Sequence, residues 1–315
     1  MLVYALRRIA VFLASLLAAS ILVFALLDLL PGDPAQVILG QQATPERVET
    51  LRAELGLDRP APVRYLDWVG GLVQGDFGES YVSGAAVGPM IAQRLQVTVP
   101  LAGLGMVLAL VLAAPLGVAA AARHRGVGDA LISGASQIGI AIPAFWAGLL
   151  LVTLFAVRLG WLPSGGFTPF TTSPGEWLRS MVLPVTSLAI VQAAILTRYV
   201  RSSILEVMRE DFVRTARAKG LTRGKALLRH GLRNAAIPVV TILGLQFAFL
   251  FAGTIIIENV FFLPGLGRMI LQAANARDLV LVQGTVMVLT AAILLVNLLV
   301  DLAYRVLDPR LRSAS

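Results

Sequence analysis

Residues 201–236 read RSSILEVMREDFVRTARAKGLTRGKALLRHGLRNAA, the one long polar run lying between segments apolar enough to cross a bilayer. With Arg198 just before it, the run carries Arg201, Arg209, Arg214, Arg217, Lys219, Arg223, Lys225, Arg229 and Arg233 against only Glu206, Glu210 and Asp211. A cationic block of this density is retained on the cytoplasmic side of a membrane. Ile204, Leu205, Met208, Phe212 and Ala216 recur at three- and four-residue steps, which predicts one amphipathic helix. Gly220 supplies a break, and a second helical pattern in Ala226, Leu227, Leu228 and Leu232 leads to Pro238, where the next span begins. The expected product is a helix, a glycine turn and a helix held at the membrane face. Charge alone fits equally a basic segment attracted to anionic lipid.

Composition sets the surroundings of that loop. The 315 residues are 57% hydrophobic and 14% charged, with a mean hydropathy of +0.81. Such a chain is a polytopic membrane protein rather than a soluble domain. The net charge of +8 does not point to nucleic acid, because the basic residues sit in loops beside apolar spans and not along one soluble face. With no cysteine there is neither a disulfide nor a thiolate metal site, which fits a bacterial inner membrane.

Six apolar stretches are long enough to span: 9–30, 97–122, 130–157, 181–200, 237–257 and 279–304. The first follows Arg7-Arg8 and runs into Leu-Leu-Pro-Gly-Asp-Pro34 rather than a small-residue cleavage site, so it reads as a retained span and not a signal peptide. Alternating the loops places 17 of the 26 basic residues on one side, which by the positive-inside rule makes both termini cytoplasmic. The expected division is an N-terminal tail and first helix over 1–30, a periplasmic subdomain over 31–96, a five-helix core over 97–304 that contains the 201–236 loop, and a cytoplasmic tail over 305–315.

The subdomain over 31–96 holds eight of the 18 acids. Thr44-Pro45-Glu46 is a helix start, with Thr as N-cap, Pro in the first turn and a carboxylate on the helix dipole. Val48, Leu51 and Leu55 form one face and Gly56 ends it. A second amphipathic piece over 62–73 carries Tyr65, Leu66, Trp68, Val69 and Leu72, and Gln-Gly-Asp-Phe-Gly-Glu-Ser80 is rich in turn formers. The expectation is a small helical lid that packs over the first span, with contact to an external binding protein as the alternative.

Inside the spans, polar residues are few: Gln137, Gln192, Gln246 and Asn297, with Asp301 one turn beyond. Left in lipid they are costly, so they face other helices or a water-filled path. Hydrogen bonding between helices is the plain reading. The sharper one makes Gln137, Gln192 and Gln246 the border of a translocation path, since peptide groups need donors and acceptors but no fixed charge. Gly244, Ala248 and Ala252 permit close helix approach on the fifth span. After it, Val260, Phe261, Phe262 and Leu263 are too apolar to lie free in water, and Pro-Gly and Gly-Arg268 mark turns, which predicts a re-entrant or interfacial hairpin.

Catalytic chemistry is absent from the sequence. Gly220-Leu-Thr-Arg-Gly-Lys225 resembles a phosphate loop, but three residues rather than four separate its glycines and Ala226 replaces the required Ser or Thr. His124 and His230, the only histidines, lie in basic segments and read as surface residues. A membrane-embedded enzyme would need an acid/base or nucleophile set within the spans, and Asp301 alone does not make one.

The runs 211–221 (DFVRTARAKGL) and 229–238 (RHGLRNAAIP) resemble the cytoplasmic loop of permease subunits of binding-protein-dependent ABC importers, and their wording is most similar to the B-type subunit of the dipeptide, oligopeptide and nickel branch. Gln-Gly-Asp-Phe-Gly-Glu-Ser80, Pro-Gly-Leu-Gly-Arg268 and Leu-Asp-Pro-Arg-Leu-Arg312 carry the resemblance through the chain. It implies an all-α type I importer fold of six transmembrane helices with a periplasmic helical lid after the first. It further implies that Asp211, Phe212, Arg214, Thr215, Ala216, Arg217, Lys219, Gly220 and Leu221 couple to an ATPase subunit. Here Arg214, Thr215 and Ala216 stand where importers usually have Glu-Ala-Ala. The implied partners are a second homologous permease, two ABC ATPase subunits that bind ATP and Mg, a periplasmic or lipid-anchored peptide-binding protein, and lipid. No cofactor is expected in this chain. Peptide is the implied cargo, with nickel or a metal chelate as the alternative.

Overall fold

The computed structural model describes residues 2–29 and 33–307. Residues 1, 30–32 and 308–315, the last holding most of the Leu-Asp-Pro-Arg-Leu-Arg312 motif, lie outside the described residues. Among those described, the only β feature is an isolated bridge between Glu79 and Ala86. Everything else regular is helical: α1 (Leu2–Asp28), α2 (Pro34–Leu39), α3 (Pro45–Glu54), α4 (Ala61–Val73), α5 (Val87–Ala122), α6 (Val127–Ala141), α7 (Ala144–Leu151), α8 (Pro174–Val207), α9 (Asp211–Ala218), α10 (Arg223–Ala226), α11 (Leu232–Val260), α12 (Leu266–Asn275) and α13 (Leu279–Leu307). Five helices are long and apolar enough to cross a bilayer unbroken, and α6 with α7 and its π-helical extension makes a sixth, broken segment bent by 98°.

That bend breaks the stretch expected as the third span. Pro143 has no N–H to donate and forces Ile142 out of the helical region, to φ −84 and ψ 120. Two spans also outrun their apolar cores. Helix α5 begins at Val87, ten residues before the expected start at 97, and α8 covers 34 residues where 20 were expected. At 1.5 Å per residue, α5 is ~54 Å long, well beyond the ~30 Å hydrocarbon layer. Helix α8 starts where it does because Ser173 caps it, its hydroxyl accepting from Glu176 N, with Pro174 in the first turn.

The chain divides into two compact units. One comprises residues 1–5, 99–263 and 296–315, and the other residues 6–98 and 264–295. In the first, α8 is the hub, packing on α6, α7 and α11. Small residues let the helices close in on it. A Cβ placed on Gly117 of α5 would lie 2.6 Å from Val200 Cβ, and one on Gly139 of α6 would lie 2.8 Å from Ala194 Cβ. At the base of α8, Val200 and Ile204 form a buried cluster with Ala121, Leu227, Ala235 and Val239. Ser203 donates to Ala235 O at 2.8 Å.

In the second unit, Asp33 and Thr44 cap α2 and α3 as N-caps, each followed by proline. Helix α4 lies on the C-terminal half of α1: Tyr65 hydroxyl pairs with Ser20 hydroxyl at 2.9 Å, Phe24 stacks edge-on to Tyr65, and Arg64 bridges to Asp28 while its guanidinium lies over Phe24. The lid therefore packs on the first span. Phe77, in the turn before α5, packs with Val87, Ile91, Leu266, Met269, Leu281 and Val282 in one core. The expected hairpin after the fifth span is instead a turn at Phe262, at φ +55, that leads into a ten-residue helix, α12.

Candidate functional site

The polar loop folds in two pieces, and not as the single first helix the periodicity suggested. Ile204 and Leu205 belong to the end of α8, which stops at Val207. A turn at Met208–Glu210 separates them from α9, which holds Phe212 and Ala216. Met208 N and Glu210 N bond back to Ile204 O and Val207 O, so the break is a hydrogen-bonded corner and not a frayed end. Gly220 sits at φ +93, where its lack of a Cβ is required, and Leu221 N returns to Ala216 O. Thr222 then caps the next helix by accepting from Lys225 N, and α10 runs through a π-helical turn into the fifth span. The segment that resembled a phosphate loop is thus a helix start with no strand before it.

Helix α9 has two faces. Val213 and Ala216 are buried, whereas Asp211, Phe212, Arg214, Thr215, Arg217, Lys219 and Gly220 are exposed and Leu221 is half-buried. Ala216 is buried and seats the helix on its own unit. Phe212, 37% exposed, is the large apolar side chain among the exposed residues of α9. Beside it a cleft of about 560 Å³ runs along the corner, lined by Arg201, Leu205, Glu206, Arg209, Glu210 and Asp211.

A charge cluster that the sequence did not single out anchors the root of this corner. Arg201 grips Asp129 with a two-pronged fork, Nε to Oδ1 at 2.6 Å and Nη2 to Oδ2 at 2.8 Å. Asp129 also accepts from Arg125 N at 3.0 Å and Ser133 hydroxyl at 3.3 Å, and His124 Nδ1 stands 3.2 Å from its Oδ2. The Asp129 side chain is 6% exposed. His124, expected as a bare surface residue, is part of this cluster, and Arg125 takes φ +66 to present its N–H. The pair joins the short turn between α5 and α6 to α8 across 72 residues of sequence, a separation no local pattern reveals. The side chain of His230 lies outside the described residues.

Of the three glutamines expected on a path, the structure brings two together. Gln192 and Gln246, both 7% exposed, line one cavity of about 350 Å³ with Ala144, Leu188, Phe249 and Gly253. Gln137 is exposed on α6 and does not join them. Asn297, Gly244's neighbour, has its Oδ1 3.1 Å from where a Gly244 Cβ would lie, so the small-residue stripe makes its closest approach at Gly244, while Ala252 is exposed. Among the described residues no three His, Cys, Asp or Glu side chains are grouped to hold a metal.

Residues 113–313 match the family described as binding-protein-dependent transport system inner membrane component, and residues 1–102 match that family's N-terminal region. A Brucella abortus protein named as a peptide transport system permease is 43% identical over 307 residues, covering 98% of each chain. A Sinorhizobium fredii protein named as a peptide ABC transporter permease is 39% identical over 310 residues, with 98% and 99% covered. The glutathione transport system permease of Salmonella typhimurium is 40% identical over 312 residues, with 99% of each covered. Two solved structures share the fold at low identity. A chain of the MetNI methionine ABC transporter in an inward-facing form has a TM-score of 0.57 at 15% identity, covering 70% of this chain and 96% of its own. A chain of an amino acid ABC transporter crystallised with histidines has a TM-score of 0.54 at 18% identity, covering 69% and 94%. With its apolar spans, lid and cytoplasmic-type loop matched from end to end, the chain belongs to the family of inner-membrane components of binding-protein-dependent transport systems.

Proposed function

We propose that this chain is the permease subunit of an ATP-driven importer of di- and oligopeptides, working by alternating access. What carries the cargo reading is identity of about 40% over nearly the whole length to permeases named for peptide and for glutathione, a modified tripeptide. Nickel or a metal chelate is the weaker reading, since those relatives carry peptide names. The two termini and the 201–236 loop lie in the cytoplasm, where two ATPase subunits, which hold ATP and Mg, dock on the loop. A second homologous permease completes the path, and a periplasmic or lipid-anchored binding protein delivers peptide.

The coupling contact is the open face of α9 with the turn behind it: Phe212 as the apolar anchor, Asp211, Arg214, Thr215, Arg217 and Lys219 as its polar rim, and Gly220 and Leu221 as the bend. Buried aromatic anchors ringed by polar residues dominate the energetics of protein contacts. Ala216 acts from beneath, by seating the helix. Closure of the ATPases then moves α9, and the Asp129–Arg201 fork carries that movement from α8 to the α5–α6 turn. Such coupling requires contacts that differ between the two states. The test is ATP-dependent peptide uptake by the complex purified with its partners and reconstituted in liposomes. Uptake of nickel but not peptide would replace the cargo reading, and Phe212→Ala leaving peptide-stimulated ATPase unchanged would remove α9 as the coupling surface.

A further inference from the structure

The cavity among α7, α8 and α11 contains an amide that lacks half of its partners. Gln192 Nε2 donates to the backbone carbonyl of Gln246 at 3.5 Å, a weak contact across 54 residues. A carbonyl can only accept, so it fixes the NH₂ end of Gln192 toward itself and leaves Oε1 on the other side. That Oε1 is fully buried and has no donor. An unsatisfied buried acceptor is destabilising, and in a membrane-embedded wall no bulk water relieves it. The remaining lining is aliphatic and aromatic, from Ala144, Leu188, Ile195 and Phe249, without a charged side chain. The cavity's volume of about 350 Å³ lies at the lower end of the ~300–1,000 Å³ typical of small-ligand sites.

From this geometry we propose that the cavity is a binding site for a neutral stretch of peptide backbone, in which the Gln192 carboxamide leaves its weak contact with Gln246 and turns its closed-off Oε1 into the cavity to accept one backbone N–H of the cargo, while the apolar wall takes whatever side chain accompanies it. The inference rests on the peptide-permease reading above and names the chemistry recognised in the membrane. A site with one amide acceptor and no fixed charge selects for the backbone and against neither acidic nor basic side chains directly. It would be little use for a free metal ion, for which one carboxamide oxygen is an incomplete ligand set.

The test uses the complete complex in liposomes, with its binding protein at concentrations that load both of two probes fully: trialanine and trialanine N-methylated at its central amide, which lacks one N–H donor. Wild type should transport the methylated probe about five- to tenfold more slowly, the effect of one neutral hydrogen bond. Gln192→Leu should slow trialanine and bring the two probes to the same rate. Gln192→Met, a closer match in shape, serves if the leucine variant fails to assemble. Ala144→Leu, which keeps the amide and narrows the cavity, should slow both probes while preserving their ratio. Full discrimination retained in Gln192→Leu or Gln192→Met would overturn the site while leaving the peptide reading intact. Disulfide trapping of Gln192→Cys to the second permease in every nucleotide state would also overturn it, because that wall would then be a subunit interface. A wild-type complex that moves neither probe overturns the peptide reading, and the site with it.

Discussion

Arg201→Gln separates the buried ion pair from the rest of the α8–α9 corner, and its cost follows from the geometry. The substitution removes a fork of two charge-assisted bonds, at 2.6 and 2.8 Å, from a carboxylate that is 6% exposed. Asp129 keeps only the Arg125 N–H, the Ser133 hydroxyl and His124. Removing one partner of a buried pair costs ~3–5 kcal/mol, chiefly because the remaining charge is stranded. Arg201 is itself 24% exposed, so solvent screening places this pair at the lower end, about 3 kcal/mol. Asp129→Asn combined with Arg201→Gln strands no charge, and an amide pair fills nearly the same space. The double variant should therefore be less destabilised than Arg201→Gln alone, with a coupling energy of ~1–3 kcal/mol in the double-mutant cycle. Thermal unfolding of the detergent-purified complex, followed by loss of the monodisperse peak, measures the order. Arg201→Gln should fall several degrees below wild type and the double variant between the two. An unfolding temperature for Arg201→Gln within one degree of wild type, or a double variant whose loss equals the sum of the single losses, would refute the reasoning.

Other outcomes follow from single contacts. Gly117→Leu drives a side chain into Val200, where even a Cβ would stand at 2.6 Å. It should destabilise by ~1–3 kcal/mol through overpacking, visible as a lower unfolding temperature than Gly103→Leu, whose Cβ position is open. A Cβ added at Gly220 meets no neighbour within 4 Å, so the main cost of Gly220→Val is backbone strain at φ +93. The complex should assemble and hydrolyse ATP while uptake per ATP falls, and Gly220→Asn, which tolerates left-handed backbone better, should fall less. Ala216→Asp buries a carboxylate beneath α9 and should lower the yield of assembled complex, whereas a pure contact residue would change ATPase stimulation with yield unaffected. In the lid, Asp278 accepts from Ser80 hydroxyl and from Tyr81 N and caps α13 by accepting from Leu281 N. Asp278→Ala should raise protease sensitivity around residues 80–85 by releasing that turn, and unchanged cleavage would count against it.

Sequence by itself determined whatever depends on local chemistry and on the bilayer as solvent. Apolar length set the number of membrane segments. Charge marked the 201–236 loop. Thr44-Pro45 and Gly220 set a helix start and a bend, because caps and left-handed backbone are decided within a few residues. The break at Pro143 was equally local, although the apolar run around it masked it. Tertiary structure alone decided which polar groups meet. Gln192 and Gln246 share a cavity while Gln137, alike in sequence, is exposed on α6, since the direction of a side chain depends on the register of neighbouring helices. Arg201 was one of ten basic residues spread over 198–233 until packing placed it against Asp129, and the burial of Ala216 beneath α9 came from packing as well. Periodicity records which residues share a face; only the packing of distant segments determines what that face is turned toward.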